Sequence, residues 1–252
     1  MTDSRISLIV PNRNMGRFLP DAFRSIEMQA VRVDEVLLVD TGSTDESLRV
    51  AAAWQGRGLP LEVIIVPEAN PAQARNAGLE KATGEIIGFL DADDLFPPGK
   101  LEAQIARLER QPRVDAVSGT ITRFEQLDPE TLAPAAGSRT ETQTGVNLSA
   151  QILRRRVFDT VGVFDETFLY SEDTDFMLRT LEAGVPISVL RQEVLYYRRH
   201  AGSLMSQSNP RKLRDFHRAL ALSIKRRSAL GMKGDLPRLE DLLEPLSSEE
   251  PT

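Results

Sequence analysis

The chain has 252 residues and no cysteine, and its two histidines are His200 and His217. Disulfides, thiolate metal sites and cysteine nucleophiles are therefore excluded, and a reducing compartment is favoured, so we expect a cytoplasmic protein.

The formal net charge of −6 lacks the basic excess of nucleic-acid-binding proteins, so we expect no nucleic-acid partner. No apolar run reaches the ~18 residues that a membrane-spanning helix requires. The apolar stretch near the start meets Pro11 too early for a signal peptide.

The first part of the chain alternates strand-like and helix-like segments. Short apolar runs predict buried strands at 6–10, 36–39, 61–66 and 86–90. Helical spacing and capping residues predict helices at 19–29, 46–55, 72–82 and 99–109. This order is typical of the α/β class, with a mainly parallel central sheet and helices on both faces.

Polar residues follow three of these predicted strands directly. They are Pro11 and Asn12 after the first, Asp40 and Thr41 after the second, and the segment 91–94 after the fourth. In parallel α/β sheets, ligands bind beyond the carboxyl ends of the strands. The topology therefore predicts that the three stretches line one crevice.

The second half of the chain is less regular. We predict a strand at 114–124, a polar loop or flap at 125–145, a helix at 174–183 closed by Gly184, and strands at 187–190 and 194–197. A helix is expected from Pro210 onward, and the end of the chain, 244–252, is expected to fray.

The segment FLDADD, at 89–94, places three carboxylates within four positions at the end of a predicted strand. Like charges at this spacing repel one another unless a positive group lies among them. Asp91 and Asp93 have the spacing of a DxD motif, whose carboxylates can hold Mg²⁺ or Mn²⁺ together with the oxygens of a diphosphate. The alternative is a solvated loop in which Asp94 caps the next helix.

Five segments, in order, resemble the family 2 glycosyltransferases, which have the GT-A fold. They are SLIVPNRN, VLLVDTGSTDES, PAQARNAGLEKATGEIIGFLDADD, FDETFLYSEDTDFMLR and YYRRHAGSLMS, and together they span about residues 5–206. The resemblance implies a GT-A domain at 1–206, with a nucleotide-sugar half at 1–110 and an acceptor half at 111–206. The remainder, 207–252, is expected to be a helical and partly flexible tail.

The resemblance also assigns roles to individual residues. It implies that a divalent cation, Mn²⁺ or Mg²⁺, is held by Asp93 and Asp91, and that Asp173 is the general base. It implies nucleotide-sugar contacts at Pro11, Asn12, Asp40, Arg75, Asn76, Asp91 and His200.

Ordinary structural roles remain open for several of these residues. Asp40 could be a turn residue, Arg75 a surface cation, and His200 a surface side chain. Glu172 and Asp173 could simply cap the following helix.

Two positions depart from the common pattern of the family. Arg13 stands where many members have tyrosine, and Thr41 stands where many have a second aspartate that reads uracil. A UDP-sugar is the preferred donor, and other nucleotide bases stay open because Thr41 replaces that aspartate.

The predicted function is an inverting, metal-dependent transfer of one sugar to the hydroxyl of a glycan, lipid-linked or small-molecule acceptor. Such transfers serve cell-surface polysaccharide, lipopolysaccharide or glycolipid synthesis. The Arg-Trp signature of processive synthases is missing, since the sole tryptophan is Trp54. The alternatives are a nucleotidyltransferase on a related fold and a non-catalytic nucleotide-sugar-binding protein. A glycoside hydrolase also uses two carboxylates, but it would not need the nucleotide segments.

The segment 211–227 has the pattern of a basic amphipathic helix. Seven Lys or Arg and one Asp surround an apolar stripe formed by Leu213, Phe216, Leu220 and Ile224. Such a helix could rest on an anionic membrane surface at the inner face of the membrane. The alternative, which we favour on sequence grounds, is a helix packed on the domain with a solvated basic face.

Overall fold

The computed structural model describes residues 4–144, 147–203, 209–232, 235–237 and 242. Its strands are β1 (Ile6–Asn12), β2 (Glu35–Asp40), β3 (Leu61–Ile65), β4 (Ile86–Phe89), β5 (Ala116–Phe124), β6 (Leu127–Asp128), β7 (Ala133–Pro134), β8 (Thr140–Thr144), β9 (Ile152–Arg154) and β10 (Ile187–Arg198). Its helices are α1 (Leu19–Glu27), α2 (Ser47–Gln55), α3 (Pro71–Lys81), α4 (Lys100–Arg110), α5 (Arg156–Val161), α6 (Glu172–Glu182) and α7 (Pro210–Ala229). A short 3₁₀ turn covers Leu148–Ala150.

A central sheet of eight strands runs in the order β10-β5-β9-β4-β1-β2-β3, and β8 pairs with β5. Strand β1 pairs in parallel with β2 and β4, and β2 pairs in parallel with β3. The four predicted strands of the first half and the helices between them are thus present. The α/β class with a mainly parallel sheet is confirmed.

The continuous apolar runs of these strands are explained by cores on both faces of the sheet. Successive side chains of a strand point to opposite faces. Leu8 and Val10 accordingly pack in the core that contains Phe23, while Ile9 packs in the core that contains Phe89. A strand covered on both sides has no solvent face, so its sequence does not alternate.

The polar segment 125–145 is not the unstructured loop that the sequence suggested. Within it, β6 and β7 form a small antiparallel hairpin, and β8 pairs antiparallel with β5. The hydroxyl groups of Thr122 and Thr142 lie 2.9 Å apart across β5 and β8. Threonine is β-branched and is compatible with a half-exposed edge strand, and the strand forms here through its pairing with β5.

The strands and helices of the second half also differ from the sequence expectation. The two strands expected at 187–190 and 194–197 are one strand, β10, whose pairing with β5 is irregular between Val189 and Leu195. Strand β9 and helix α5 were not predicted. Helix α6 begins at Glu172 rather than at 174, so the acidic pair belongs to its first turn.

The far end of the chain is only partly described. The fraying predicted for 244–252 lies outside the described residues. Within the described ranges, no helix is long and apolar enough to cross a membrane.

Candidate active site

The loops after β1 and β2 are joined by a buried hydrogen-bond network centred on Asp40. Asn12 Nδ2 donates to Asp40 Oδ2 at 2.7 Å, and the backbone N–H groups of Gly42 and Ser43 donate to Asp40 Oδ1 at 3.0 and 2.9 Å. Asp40 is fully buried. Asp40 therefore shapes the 41–43 turn and holds Asn12 in place. It is a turn residue, as the alternative proposed, and it also lies at the edge of the sheet where the crevice is expected.

Asn12 retains one unused polar atom. Its Oδ1 is buried and has no hydrogen-bond partner among the described residues. Buried polar groups are normally paired, so this oxygen can accept a hydrogen bond from a ligand in the crevice. Pro11 precedes Asn12 at the end of β1, opposite Val39 of β2. The backbone N–H of Thr41 donates to the Asn12 carbonyl at 2.9 Å.

Arg75 is a buried cation that joins two parts of the chain. Its Nη2 donates to Asp91 Oδ1 at 2.8 Å, and its Nη1 donates to Glu172 Oε1. Burial works to lower the pKa of Arg75, but the negative charges of Asp91, Glu172 and Asp173 outweigh it and raise the pKa. Arg75 is therefore not a surface cation, and it ties the strand-end acids of the first half to the acidic pair of the second.

Asp93 lies beside His200, and the assignment of both to the metal and nucleotide-sugar site stays a prediction. His200 Nε2 is 2.9 Å from Asp93 Oδ2, and His200 Nδ1 is 3.4 Å from Arg17 Nη2. Because a guanidinium can only donate, a hydrogen bond from Arg17 requires Nδ1 to accept, and Nε2 then donates to Asp93. Burial and the charge of Asp91 raise the pKa of Asp93, against the hydrogen bond from His200.

Asp94 does not cap the next helix, contrary to the alternative considered above. Helix α4 has Gly99 at its N-cap, whereas Asp94 Oδ1 accepts a 2.9 Å hydrogen bond from the backbone N–H of Arg198. Its Oδ2 is buried without a partner in the described part of the chain. Burial and the charges of Asp93 and Asp91 raise the pKa of Asp94 well above its usual range. Asp94 thus anchors the acidic turn to the end of β10.

Asp173 and Glu172 begin helix α6 after Ser171, whose φ of +63° is left-handed. Asp173 Oδ1 accepts from the backbone N–H of Thr174 at 2.7 Å. Burial raises the pKa of Asp173, with Arg75 opposing and Asp91 adding to the rise. Burial likewise raises the pKa of Glu172 to about 7 despite its ion pair with Arg75.

Asn76 follows Arg75 on helix α3 but is directed elsewhere. Its Nδ2 donates to the Phe164 carbonyl and to Glu166 Oε1, both at 2.9 Å, and its Oδ1 accepts from the Phe164 N–H at 3.0 Å. The amide thus fixes the 164–166 segment. Its assignment to the nucleotide sugar stays a prediction.

The two arginines before His200 are engaged in ion pairs. Arg198 donates to Asp21 at 2.9 Å, and Arg199 pairs with Glu141. Sequence reasoning did not single out Arg17, whose guanidinium covers the ring of Phe18 and reaches His200. A lone arginine in a loop gives no sequence signal for such a contact.

The donor set suits a divalent cation that arrives with a diphosphate. Among the described residues, no group of three or more acidic or histidine side chains is arranged to hold an ion by itself. Mg²⁺ is often bound by one or two carboxylates together with substrate phosphates. Asp93, with Asp91 and His200 beside it, supplies such a partial set of ligands.

The sequence model for glycosyl transferase family 2 matches residues 7–169, well over half of the chain. The chain belongs to glycosyl transferase family 2. The matched region contains β1 to β4, Arg75 and the acidic turn, and it ends just before the acidic pair of α6.

Curated relatives agree with the family. The chain is 29% identical over 202 residues to the amylovoran biosynthesis glycosyltransferase AmsE of Erwinia amylovora, covering 77% of this chain and 74% of AmsE. It is 25% identical over 216 residues to an uncharacterized glycosyltransferase of Bacillus subtilis, EpsJ, covering 79% of this chain and 62% of that protein. A Nostoc glycosyltransferase is 41% identical over 100 residues, which span 39% of this chain and 31% of that protein.

Solved structures show the same fold. TarS 1-349 of S. aureus in complex with UDP-GlcNAc matches 94% of this chain and 69% of that chain, with a TM-score of 0.69 and 21% identity. The mannosyltransferase PcManGT of Pyrobaculum calidifontis, in complex with GDP-Man and Mn²⁺, matches 94% of this chain and 78% of that chain, with a TM-score of 0.63 and 19% identity. The chain therefore has the GT-A fold, and its family makes it a glycosyltransferase.

Proposed function

We propose that this chain transfers one sugar from a nucleoside-diphosphate sugar to an acceptor hydroxyl, in a single displacement that inverts the anomeric carbon. The observation that carries the proposal is the charge of the crevice. Asp93, Asp94, Glu172 and Asp173 all have raised pKa values, because burial and the neighbouring carboxylates disfavour their charged forms. Such a cluster is short of positive charge and suits a cation that comes with the donor.

The acids of the crevice divide into two groups with different roles. Asp91 and Asp93 lie at the end of β4, where a donor diphosphate would be bound together with a divalent cation, Mn²⁺ or Mg²⁺. When bound, that cation stabilises the negative charge that develops on the leaving diphosphate. His200 would hold Asp93 in place and could contact the same phosphates.

Asp173 has the properties that a general base requires. It must remove the proton of the acceptor hydroxyl as this oxygen attacks the anomeric carbon. In the described part of the chain, Arg75 is hydrogen-bonded to Asp91 and Glu172 but not to Asp173. The raised pKa of Asp173 makes its carboxylate a stronger base than that of an ordinary aspartate. One base and one leaving group imply one displacement, and hence inversion.

The loops after β1 and β2 bear on the base of the donor nucleotide. We keep a UDP-sugar as first choice, with Pro11 and Asn12 against the base and Asp40 holding Asn12 in place. TarS and PcManGT were solved with UDP-GlcNAc and GDP-Man, respectively. The shared fold therefore does not select the base. Thr41, whose hydroxyl lies 3.3 Å from the Asn12 carbonyl, stands where it could influence that choice.

For the acceptor we propose a glycan, a lipid-linked sugar or a small molecule, in cell-surface polysaccharide, lipopolysaccharide or glycolipid synthesis. The biosynthetic role in the name of AmsE is consistent with a polysaccharide. The absence of cysteine is consistent with a cytoplasmic site of action.

The test is calorimetric binding of UDP, GDP, dTDP and CDP to the chain and to Asp93→Ala, each with Mn²⁺ and with EDTA. We expect one nucleotide to bind much more tightly with Mn²⁺, and this metal dependence to disappear in Asp93→Ala. A matched control is Asp159→Ala, an exposed acid on helix α5, which should bind like the wild type.

Two results would count against the proposal. If Asp93→Ala kept the full effect of Mn²⁺, Asp93 would not belong to the metal site. If no nucleotide bound under any condition, the chain would be a degenerate member of the family without transfer activity.

A further inference from the structure

Helix α7 buries its polar face and exposes its apolar face. Its buried side chains are Asp215, Ala219 and Ser223. The apolar stripe identified in the sequence is exposed instead, and it consists of Leu213, Phe216, Leu220 and Ile224. An ordinary surface helix has the opposite arrangement.

Specific polar contacts fix this orientation. Arg226 donates to both carboxylate oxygens of Glu182, at 2.6 and 3.1 Å, and to Asp175 at 3.1 Å. Near the other end, Arg218 donates to the hydroxyl of Thr167 at 2.6 Å. The helix therefore packs on the domain, as we favoured on sequence grounds, but its apolar stripe takes no part in that packing.

The exposed stripe is the main concentration of apolar surface on the described chain. Eleven large hydrophobic side chains are exposed there. Six of the eleven lie between 213 and 232, and they are Leu213, Phe216, Leu220, Ile224, Leu230 and Met232. Single exposed apolar side chains are normal, whereas a contiguous set marks a surface for interaction.

The charges around the stripe indicate what it contacts. The segment 211–227 carries seven Lys or Arg against one acid, Asp215, which is buried toward the domain. Arg214 and Lys225 are exposed, and each directly follows a stripe residue, so each lies about 100° around the helix from the stripe. A helix with an apolar stripe and basic flanks matches a surface whose interior is apolar and whose headgroups are anionic.

We propose that α7 docks this chain on an anionic lipid bilayer, with the stripe inserted at the boundary between headgroups and acyl chains. A second copy of the chain is the less favourable occupant. A two-fold contact would bring the basic flanks of the two helices together, where like charges repel.

The domain-facing side of α7, opposite the stripe, packs against the segment that leads to Asp173. Asp215 of α7 accepts from the backbone N–H groups of Leu169 and Tyr170, at 3.3 and 3.2 Å. Leu169 is itself exposed. A bilayer contact here would place the acceptor side of the crevice near the membrane. This part rests on the proposed function and favours a lipid-linked acceptor.

The test is flotation of the full chain with phosphatidylcholine vesicles that contain or lack phosphatidylglycerol. We expect the chain to float only with the anionic vesicles and to be released by salt. Phe216→Ser/Ile224→Ser and Arg214→Glu/Lys225→Glu should each weaken binding by about tenfold or more. The control, Leu48→Ser/Arg49→Glu on the exposed side of α2, should bind like the wild type.

Three outcomes would overturn the docking proposal. One is that wild type floats with neither vesicle, and another is that both α7 variants bind as well as the control. The third is that sedimentation shows a dimer that Phe216→Ser/Ile224→Ser converts to monomer, which would make the stripe an interface between copies. Nucleotide calorimetry on the same proteins separates this failure from failure of the proposed function, because it requires no membrane.

Discussion

The adjacent acids Glu172 and Asp173 have different hydrogen-bond partners in the site. Glu172 forms an ion pair with Arg75, which also holds Asp91. Asp173 accepts from the Thr174 N–H and lies close enough to Arg75 and Asp91 for both charges to affect its pKa. The first acid therefore fixes Arg75 in place, and the second is the carboxylate that we propose as the general base.

We predict that Asp173→Asn reduces kcat by about 10²- to 10⁴-fold, the usual contribution of a general base. The amide is nearly isosteric but cannot take the proton, so nucleotide affinity should change little. Single-turnover transfer and nucleotide calorimetry would measure the two effects. Asp159→Asn, an exposed acid on α5, is the control. Normal turnover by Asp173→Asn would show that another group is the base.

The pKa of Asp173 should also appear in the pH dependence of transfer by the wild type. Only the deprotonated form can accept a proton, so the rate should fall as the pH decreases through the pKa of this group. Because burial raises that pKa, the acid limb should lie above the ordinary value near 3.8. In Asp173→Asn the residual rate should lose this limb.

At the scale of elements, helix α7 supports the entrance to α6. Asp215 accepts from two consecutive backbone N–H groups, of Leu169 and Tyr170, and Asn209 Nδ2 donates to the Tyr170 hydroxyl at 2.9 Å. Ser171, with its left-handed φ, follows directly. The turn that aims Asp173 is thus held from outside by α7.

We predict that Asp215→Ala lowers kcat by about tenfold while nucleotide affinity stays unchanged. Two backbone N–H groups would lose their acceptor, at a cost of about 1–3 kcal/mol each if they stay buried, so the turn would relax. Transfer kinetics, nucleotide calorimetry and the melting temperature should be measured together. Ser228→Ala, exposed near the end of the same helix, is the control. Equal losses of kcat and nucleotide affinity would indicate general unfolding instead of a positioning role.

The sequence predicted the elements of the first half better than those of the second. Strands β1 to β4 are mainly apolar segments that end at or near proline or acids, and these signals are local. Strand β9 has three residues, and β8 reads TETQT. Their strand character comes from pairing with β5 rather than from their own composition.

The candidate site was predictable to the extent that topology determines it. Parallel strands place Asn12, Asp40 and the acidic turn at one edge of the sheet, and the structure joins Asn12 to Asp40. The pair of Arg75 and Glu172 joins residues 97 positions apart. Such a contact depends on how the two halves fold together, so local patterns could not predict it.

For the molecule as a whole, Lys100 makes folding stability depend on pH. Its side chain is fully buried, its Nζ donates to Gln104 Oε1 at 2.8 Å, and it lies 4.2 Å from the centre of the Phe96 ring. Burial lowers the pKa of Lys100 from 10.5 to about 7. Between these values the unfolded chain binds a proton that the folded chain does not. The free energy of unfolding should therefore rise as the pH increases from about 7 toward 10.

We predict that Lys100→Met removes this pH dependence and stabilises the protein most at or below pH 7, where the wild type must bury a charged amine. At about 1.4 kcal/mol per pKa unit, the difference amounts to a few kcal/mol at most. Urea unfolding at several pH values between 6.5 and 10 would measure it. For Lys81→Met, exposed at the end of α3, the free energy of unfolding should vary with pH as it does in the wild type.

If the free energy of unfolding of Lys100→Met also varied with pH as in the wild type, Lys100 would remain charged in the folded protein. In that case the hydrogen bond to Gln104 and the Phe96 ring would stabilise the ammonium enough to offset its burial.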